Sequence, residues 1–249
     1  YKKKRKDAFF YFWKEELPLI MYKRRKEMLL SFLALFMGVL IGAFSQQQEN
    51  DFTNFILGER YMQVTKSNIA KGDPMAIYKS SDSTPMFTAI ATNKIRVSFL
   101  AFIAGIFLSV GSIYILFSNG VMLGVFQYFF FQEGLLKVSA LSIWLHGTLE
   151  ISAIVIAGGA GIILGNSILF PGTYKRSQSL RMAGNDAVKV ILGLIPVFLV
   201  AAFIESFLTR LTEMPVYFNL SIILLSAAFI IWYFIIYPYI IHVKRSKNN

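Results

Sequence analysis

Between Leu141 and Phe170 the chain runs for 30 residues whose only ionisable side chains are His146 and Glu150. About 20 apolar residues of helix are enough to cross a bilayer, so this run is at home only in lipid or in the core of a bundle that lies in lipid. It is not alone. Apolar stretches of comparable character predict spans at about 28–44, 95–117, 119–134, 141–168, 187–208 and 216–241. Composition agrees, because 55% of the 249 residues are hydrophobic and 24 are Phe, more than one soluble core of that size hides. The expected fold class is all-α: a polytopic transmembrane helical bundle of about six spans. The third span is the weakest. Its apolar body, Val121 to Phe131, is only about 11 residues long, which predicts a short or re-entrant helix hairpinned with the fourth.

The formal charge of +11 would suit a nucleic-acid binder, but the basic residues flank the apolar runs. Topology and anionic headgroups account for them there, and no nucleic acid is expected as a partner. The N-terminal "YKKKRK" and "YKRRKEM" and the C-terminal "HVKRSKNN" place both termini in the cytoplasm. Alternation then puts the loop with Lys175, Arg176 and Arg181 on the same side. Lys94 and Arg96, at the outer start of the second span, run against this pattern, though long outer loops carry little topological weight. The lipid bilayer, with anionic lipids at the basic inner face, is thus one expected partner. A start at Tyr1 inside a charged run, with no initiator methionine or signal pattern, predicts that a longer protein precedes it.

Residues 1–27 mix aromatic and charged side chains around Pro18 and read as a cytoplasmic, interfacial amphipathic helix. The transmembrane bundle is expected over 28–241, with an outer loop at 45–93 that contains the turn signal "KGDP" and one or two short helices. A cytoplasmic basic tail, 242–249, closes the chain.

Two features inside the spans need explaining. Ala153, Ala157, Gly161 and Gly165 recur at every fourth position, so one stripe of the fourth span has no bulk and can meet another backbone closely. Gly120 and Gly124 repeat the device at what reads as a tight turn between spans two and three, and Gly147 is counted with these helix-packing residues. The second feature is charge. His146 and Glu150 share one helical face and lie about 8 Å and 14 Å inside the outer boundary. An unpaired carboxylate at such depth costs roughly 2.5 kcal/mol or more, so Glu150 should face protein or water and be paired or protonated. Glu205 is the other acid in an apolar run, and the three are expected to form one buried polar cluster. The cluster can be read as a structural clasp, as an ion or proton pathway, or as the ligands of a metal-dependent hydrolase.

The absent chemistry is as informative. With no cysteine there is no disulfide, thiolate metal site or cysteine nucleophile, and two histidines cannot build a His-rich cage. No "HExxH", "GxxxxGK[ST]" or "GxSxG" occurs, and the "GGAG" at Gly158 to Gly161 lies within a helix whose amides are already bonded. No cofactor, metal or enzymatic activity is expected.

The order "NKIRVSFLAFIAGI", "SNGVMLG", "HGTLEISAIVIAGGAGIILGNSILFPG" and "LVAAFIESFLT" resembles the stage II sporulation protein M family of bacterial and archaeal membrane proteins. The resemblance spans about Ala8 to Arg210 and marks His146, Gly147, Glu150 and Glu205 as motif positions. In endospore formers the family implies a membrane scaffold that works with partners, among them a cell-wall hydrolase, during engulfment. Phrases such as "ELPLIMYKRRK" and "KGDPMAIYKSS" resemble versions from Bacteroidota, which form no endospores. The expectation that results is a non-enzymatic scaffold of the bacterial inner membrane, homo-oligomeric or docked to other envelope proteins. A transporter or channel subunit is the alternative, and a zinc-dependent intramembrane hydrolase comes third.

Overall fold

The computed structural model describes residues 5–49, 51–74, 76, 83–209 and 214–247, with only the backbone for 5–7 and 83–86. Among these residues the regular elements are all helical. They are α1 (Arg5–Tyr11), α2 (Leu17–Lys23), α3 (Arg25–Gln48), α4 (Phe52–Leu57), α5 (Glu59–Ala70), α6 (Ser83–Ile103), α7 (Val110–Gln132), α8 (Leu136–Leu169), α9 (Arg176–Phe203), α10 (Val216–Ile231) and α11 (Tyr237–Lys247). A 3₁₀ turn extends α6, and π-helical turns join α1 to α2, extend α9 and join α10 to α11. Six helical segments are long and apolar enough to cross a membrane: Arg25–Gln48, Phe87–Ile106, Val110–Gln132, Leu136–Leu169, Arg176–Leu208 and Val216–Lys247. The all-α, six-span expectation holds.

Helix α8 is the axis of the bundle. It touches α3, α6, α7, α9 and α10, and most of its length is buried although it is the longest helix. Small residues make this crowding possible. A Cβ on Gly161 would collide with the carbonyls of Ala101 and Phe102, and one on Gly165 with Ser109. Ala153 and Ala157 have no exposed surface at all. Conversely, Leu116 fills the space over Gly158 and Met28 that over Gly159.

Spans two and three differ from the sequence reading. The break between them lies at Phe107–Ser109, where Leu108 and Ser109 hold positive φ of 54° and 67°. Side chains other than glycine rarely adopt that conformation, so nothing in the local sequence announces the turn. Ser109 is held by its N–H to the Gly105 carbonyl at 2.9 Å, with its hydroxyl 3.2 Å from the Ile162 carbonyl. The apolar run 95–117 therefore straddles two helices. The third span is not short but a helix of 23 residues, long enough to cross a membrane. Gly120 and Gly124 lie in its middle rather than at a turn; Gly120 meets Gly38 of α3 and Gly124 meets Val39, while Gly42 of α3 meets Val121. Each of these four glycines sits so close to the opposite backbone that an added Cβ would overlap it. Two interlocked GxxxG faces thus join α3 and α7.

The segment before the first span is built into the protein rather than laid wholly on a lipid surface. Leu17 is fully buried and presses on Gly193 of α9, with Pro18, Ile20 and Met21 also buried. Asp186 of α9 accepts hydrogen bonds from Lys23 Nζ at 2.9 Å and Arg24 Nη2 at 2.9 Å, and Lys189 Nζ donates to Glu16 at 2.7 Å. Tyr22 stacks on His242 of α11 at 3.9 Å between ring centres. The expected tail at 242–249 is no separate element, since α11 continues as helix to Lys247. Residues 1–4, 248 and 249 lie outside the described residues. Lys175, Arg176 and Arg181 are exposed at the start of α9.

At the opposite end of the bundle, α4 and α5 fold back over α7. Met62 is buried against Phe129 and Phe130. The expected "KGDP" turn is present, with Gly72 at φ +77° and the Asp73 N–H bonded to the Asn68 carbonyl at 3.0 Å.

Candidate functional site

His146 and Glu150, one turn apart on α8, face two other helices. From α6 comes Lys94, whose ammonium donates to Glu150 Oε1 at 2.5 Å. From the end of α9 comes Glu205, whose Oε1 is 3.8 Å from His146 Nε2. Thr209 follows, with its hydroxyl 3.2 Å from His146 Nδ1. Glu205 lies within a π-helical turn, Ile204–Leu208, closed by the Thr209 N–H bonding to the Ile204 carbonyl at 3.0 Å. Such a turn inserts one residue into the helix and rotates the side chains after it, and it is a frequent device at functional sites.

The depth of the cluster follows from helix register. Ser31 of α3 donates its hydroxyl to the carbonyl of Val155 on the antiparallel α8. Glu150 is then level with about Phe36, 11 residues or about 17 Å along an α3 that is about 36 Å long. Four ionisable groups meet at mid-span, and each reaches a partner on another helix. This is the arrangement that makes intramembrane charge tolerable.

The structure therefore brings His146, Glu150 and Glu205 together and adds Lys94 and Thr209, which the sequence reading left out. Lys94, in the polar "ATNKIR" stretch, was read as lying at the outer start of the second span, outside the cluster. The helix in fact begins well before it, so it lies within the span Phe87–Ile106. The signal that could have found it is charge balance, because a mid-membrane carboxylate requires a cation or a proton. Gly147 is not the helix-packing glycine expected from the sequence: a Cβ there would make ordinary contacts at 3.7 Å with Ile143 and Ile151 of its own helix, and it lines a cavity instead.

Beside the cluster lies a cavity of about 370 Å³. Lys94, His146, Glu150 and Glu205 form one part of its wall. The remainder is mostly apolar, with Leu35 and Ile154 deep, Leu123 and Phe126 on α7, and Leu57 and Tyr61 of α4 and α5 at the loop end. Burial raises the pKa of Tyr61 above its ordinary value.

His146, Glu150 and Glu205 each offer a ligand atom, and these lie within 4.8 Å of one another. By spacing alone they could hold a cation. The donor set fits zinc poorly, however, since the Lys94 ammonium already occupies Glu150 and would repel a divalent ion beside it.

No curated protein and no solved structure shows significant similarity to this chain. A protein-family model does: Stage II sporulation protein M matches residues 31–210, from the first turns of α3 through the π-turn that carries Glu205, and so contains the whole cluster. This multi-pass membrane protein belongs to the stage II sporulation protein M family.

Proposed function

We propose that the protein is a non-enzymatic scaffold of the bacterial inner membrane, with both termini cytoplasmic, that assembles with copies of itself or with other envelope proteins. The observation that carries this reading is the use made of the intramembrane polar groups. Lys94 and Glu150 tie α6 to α8, and His146 ties α8 to Thr209 and Glu205 at the end of α9. Groups spent on holding three helices together serve a rigid platform. The exposed Lys175, Arg176 and Arg181, on the side assigned to the cytoplasm, suit contact with anionic headgroups. Quantitative affinity purification from native membranes in mild detergent tests the proposal. Specific envelope proteins should accompany the wild type in fixed ratio and be depleted with Glu150→Gln. Recovery of the protein alone, in both forms, would overturn it.

The cavity favours a second reading, a transporter or channel subunit, because it descends from α4 and α5 to ionisable groups at mid-span. Its test is flux in liposomes. A pH- or ion-dependent flux that Glu150→Gln abolishes would rule out a role limited to scaffolding. The zinc-hydrolase reading has the 4.8 Å spacing in its favour and Lys94 against it. It requires stoichiometric metal that His146→Ala removes, and we expect purified protein to hold none.

A further inference from the structure

We propose that the outward face of α6 is a docking surface for a transmembrane helix of another protein, one that carries an Asp or Glu carboxylate near mid-membrane. The proposal rests on the scaffold reading and names the chemistry of its partner. It starts from Arg96. Counted from Phe87, this is the tenth residue of the 20-residue span Phe87–Ile106, with about 14 Å of helix to one end and about 15 Å to the other. Together these lengths match the hydrocarbon thickness of a bilayer, so the guanidinium starts from the middle of the apolar layer, more than an arginine's length from either headgroup region. Arg96 is nonetheless exposed on the surface of the protein. Arginine keeps its charge in proteins, so it cannot escape the cost of that position by losing a proton.

Among the described residues this chain supplies no counter-charge. Lys94, two residues earlier, lies about 200° away around the helix and meets Glu150 on the inner side of α6. Arg96 therefore faces away from the cluster, and among the described residues no hydrogen bond or ion pair reaches it. A second copy does no better. The carboxylates at this depth among the described residues are Glu150 and Glu205, whose side chains are only 12% exposed and turned toward Lys94 and His146. Packing α6 against α6 about a two-fold axis would set Arg96 against its own image.

The rest of the face suits a helix rather than lipid tails. Thr88, Ala89, Thr92, Asn93 and Arg96 follow one another at helical spacing, are all exposed, and line one shallow groove. All five belong to α6, so the groove is open on its other side. Alanine and threonine let a second backbone come near, and threonine hydroxyls and asparagine amides are groups that hydrogen-bond between helices in lipid. A carboxylate opposite Arg96 would accept two parallel N–H bonds where water does not compete for them. A neighbouring helix can deliver a carboxylate to this depth, whereas a phospholipid keeps its phosphate at the headgroup layer.

The test is photocrosslinking of the full chain in its native membranes, with p-benzoylphenylalanine placed at Thr92 and the crosslinked peptides identified by mass spectrometry. The product should be an apolar, membrane-spanning segment of another protein that contains an Asp or Glu. Arg96→Gln should lower its yield at least tenfold and Arg96→Glu should abolish it. Exchanging the partner's acid for arginine should restore the yield with Arg96→Glu. Since no hydrogen bond or ion pair within the chain depends on Arg96, both variants should unfold in SDS as the wild type does. If Arg96→Glu does not insert, the pair of Arg96→Gln and the amide variant of the partner's acid carries the test: each alone and both together should lower the yield equally. Adducts with lipid alone, with a second copy of this chain or with a segment free of acids would each overturn the proposal, as would an unchanged yield with Arg96→Gln. If envelope proteins co-purify in fixed ratio but none is crosslinked from position 92, this docking face falls and the scaffold reading stands. If nothing co-purifies and nothing is crosslinked, both fall.

Discussion

Replacing Gly38 by alanine tests the α3–α7 contact with a single methyl group. An ideal Cβ at this position would lie 3.0 Å from the Val121 nitrogen and 3.1 Å from the Gly120 Cα, and closer still to the Phe117 carbonyl oxygen. All three are backbone atoms, so no side-chain rotation relieves the overlap and the helices must part. Overpacking of this kind costs about 1–3 kcal/mol. Alanine also has a higher helix propensity than glycine, by up to about 1 kcal/mol, which would blur the result. Gly184 of α9 removes that ambiguity, because its Cβ would meet nothing nearer than Leu164 Cδ2 at 3.8 Å. The propensity gain is common to both variants, so their difference in stability should be the contact alone, about 1–3 kcal/mol against Gly38→Ala. Denaturation in mixed SDS micelles, followed by circular dichroism, measures it. Gly120→Ala attacks the same contact from the α7 side and should show a similar loss. The double variant should lose less than the sum, because helices already forced apart have room for the second methyl. Equal stability of Gly38→Ala and Gly184→Ala would refute the close α3–α7 approach.

Lys94→Met leaves Glu150 without its cation and should destabilise the bundle by about 3 kcal/mol, whereas Lys94→Met with Glu150→Leu should recover most of that loss; the same SDS titration reads both. Thr209→Val removes the hydroxyl at His146 and should cost about 0.6–1 kcal/mol, with a smaller effect in a His146→Ala background, where only the hydroxyl's bond to the Ile204 carbonyl is left to lose. Asp186→Asn should free α2 from α9, seen as faster hydrogen exchange over Leu17–Lys23 while α8 stays protected. Tyr61 has its pKa raised in the folded protein, so its contribution is complete below about pH 10 and is lost as pH rises through the folded value. Alkaline loosening of α5, followed by hydrogen exchange, should therefore be weaker in Tyr61→Phe.

Much of the site stands out in the sequence for one reason. Ionisable side chains in lipid-length apolar runs are expensive, so His146, Glu150 and Glu205 draw attention wherever they fall. The small-residue stripe of α8 is visible for a similar reason, since every fourth position lies on one face. Gly38 and Gly42 of α3 have the same spacing and were open to the same reading, though only the facing pair on α7 shows what they contact.

By itself, then, the sequence determines that this chain is a multi-pass, all-helical membrane protein with six spans. Hydropathy and run length are local quantities, and a backbone in lipid has few ways to satisfy its own hydrogen bonds. Tertiary structure alone decides where the α6–α7 break falls, because a turn at apolar Leu108 and buried Ser109 is held against the distant Ile162 carbonyl rather than signalled by a glycine or proline at the turn. Only the fold gives Glu150 its cation, since Lys94 lies 56 residues away on another helix, in a polar stretch that reads as the outer end of a span. The cavity is likewise a product of assembly: its walls come from seven helices, and no stretch of sequence contains it.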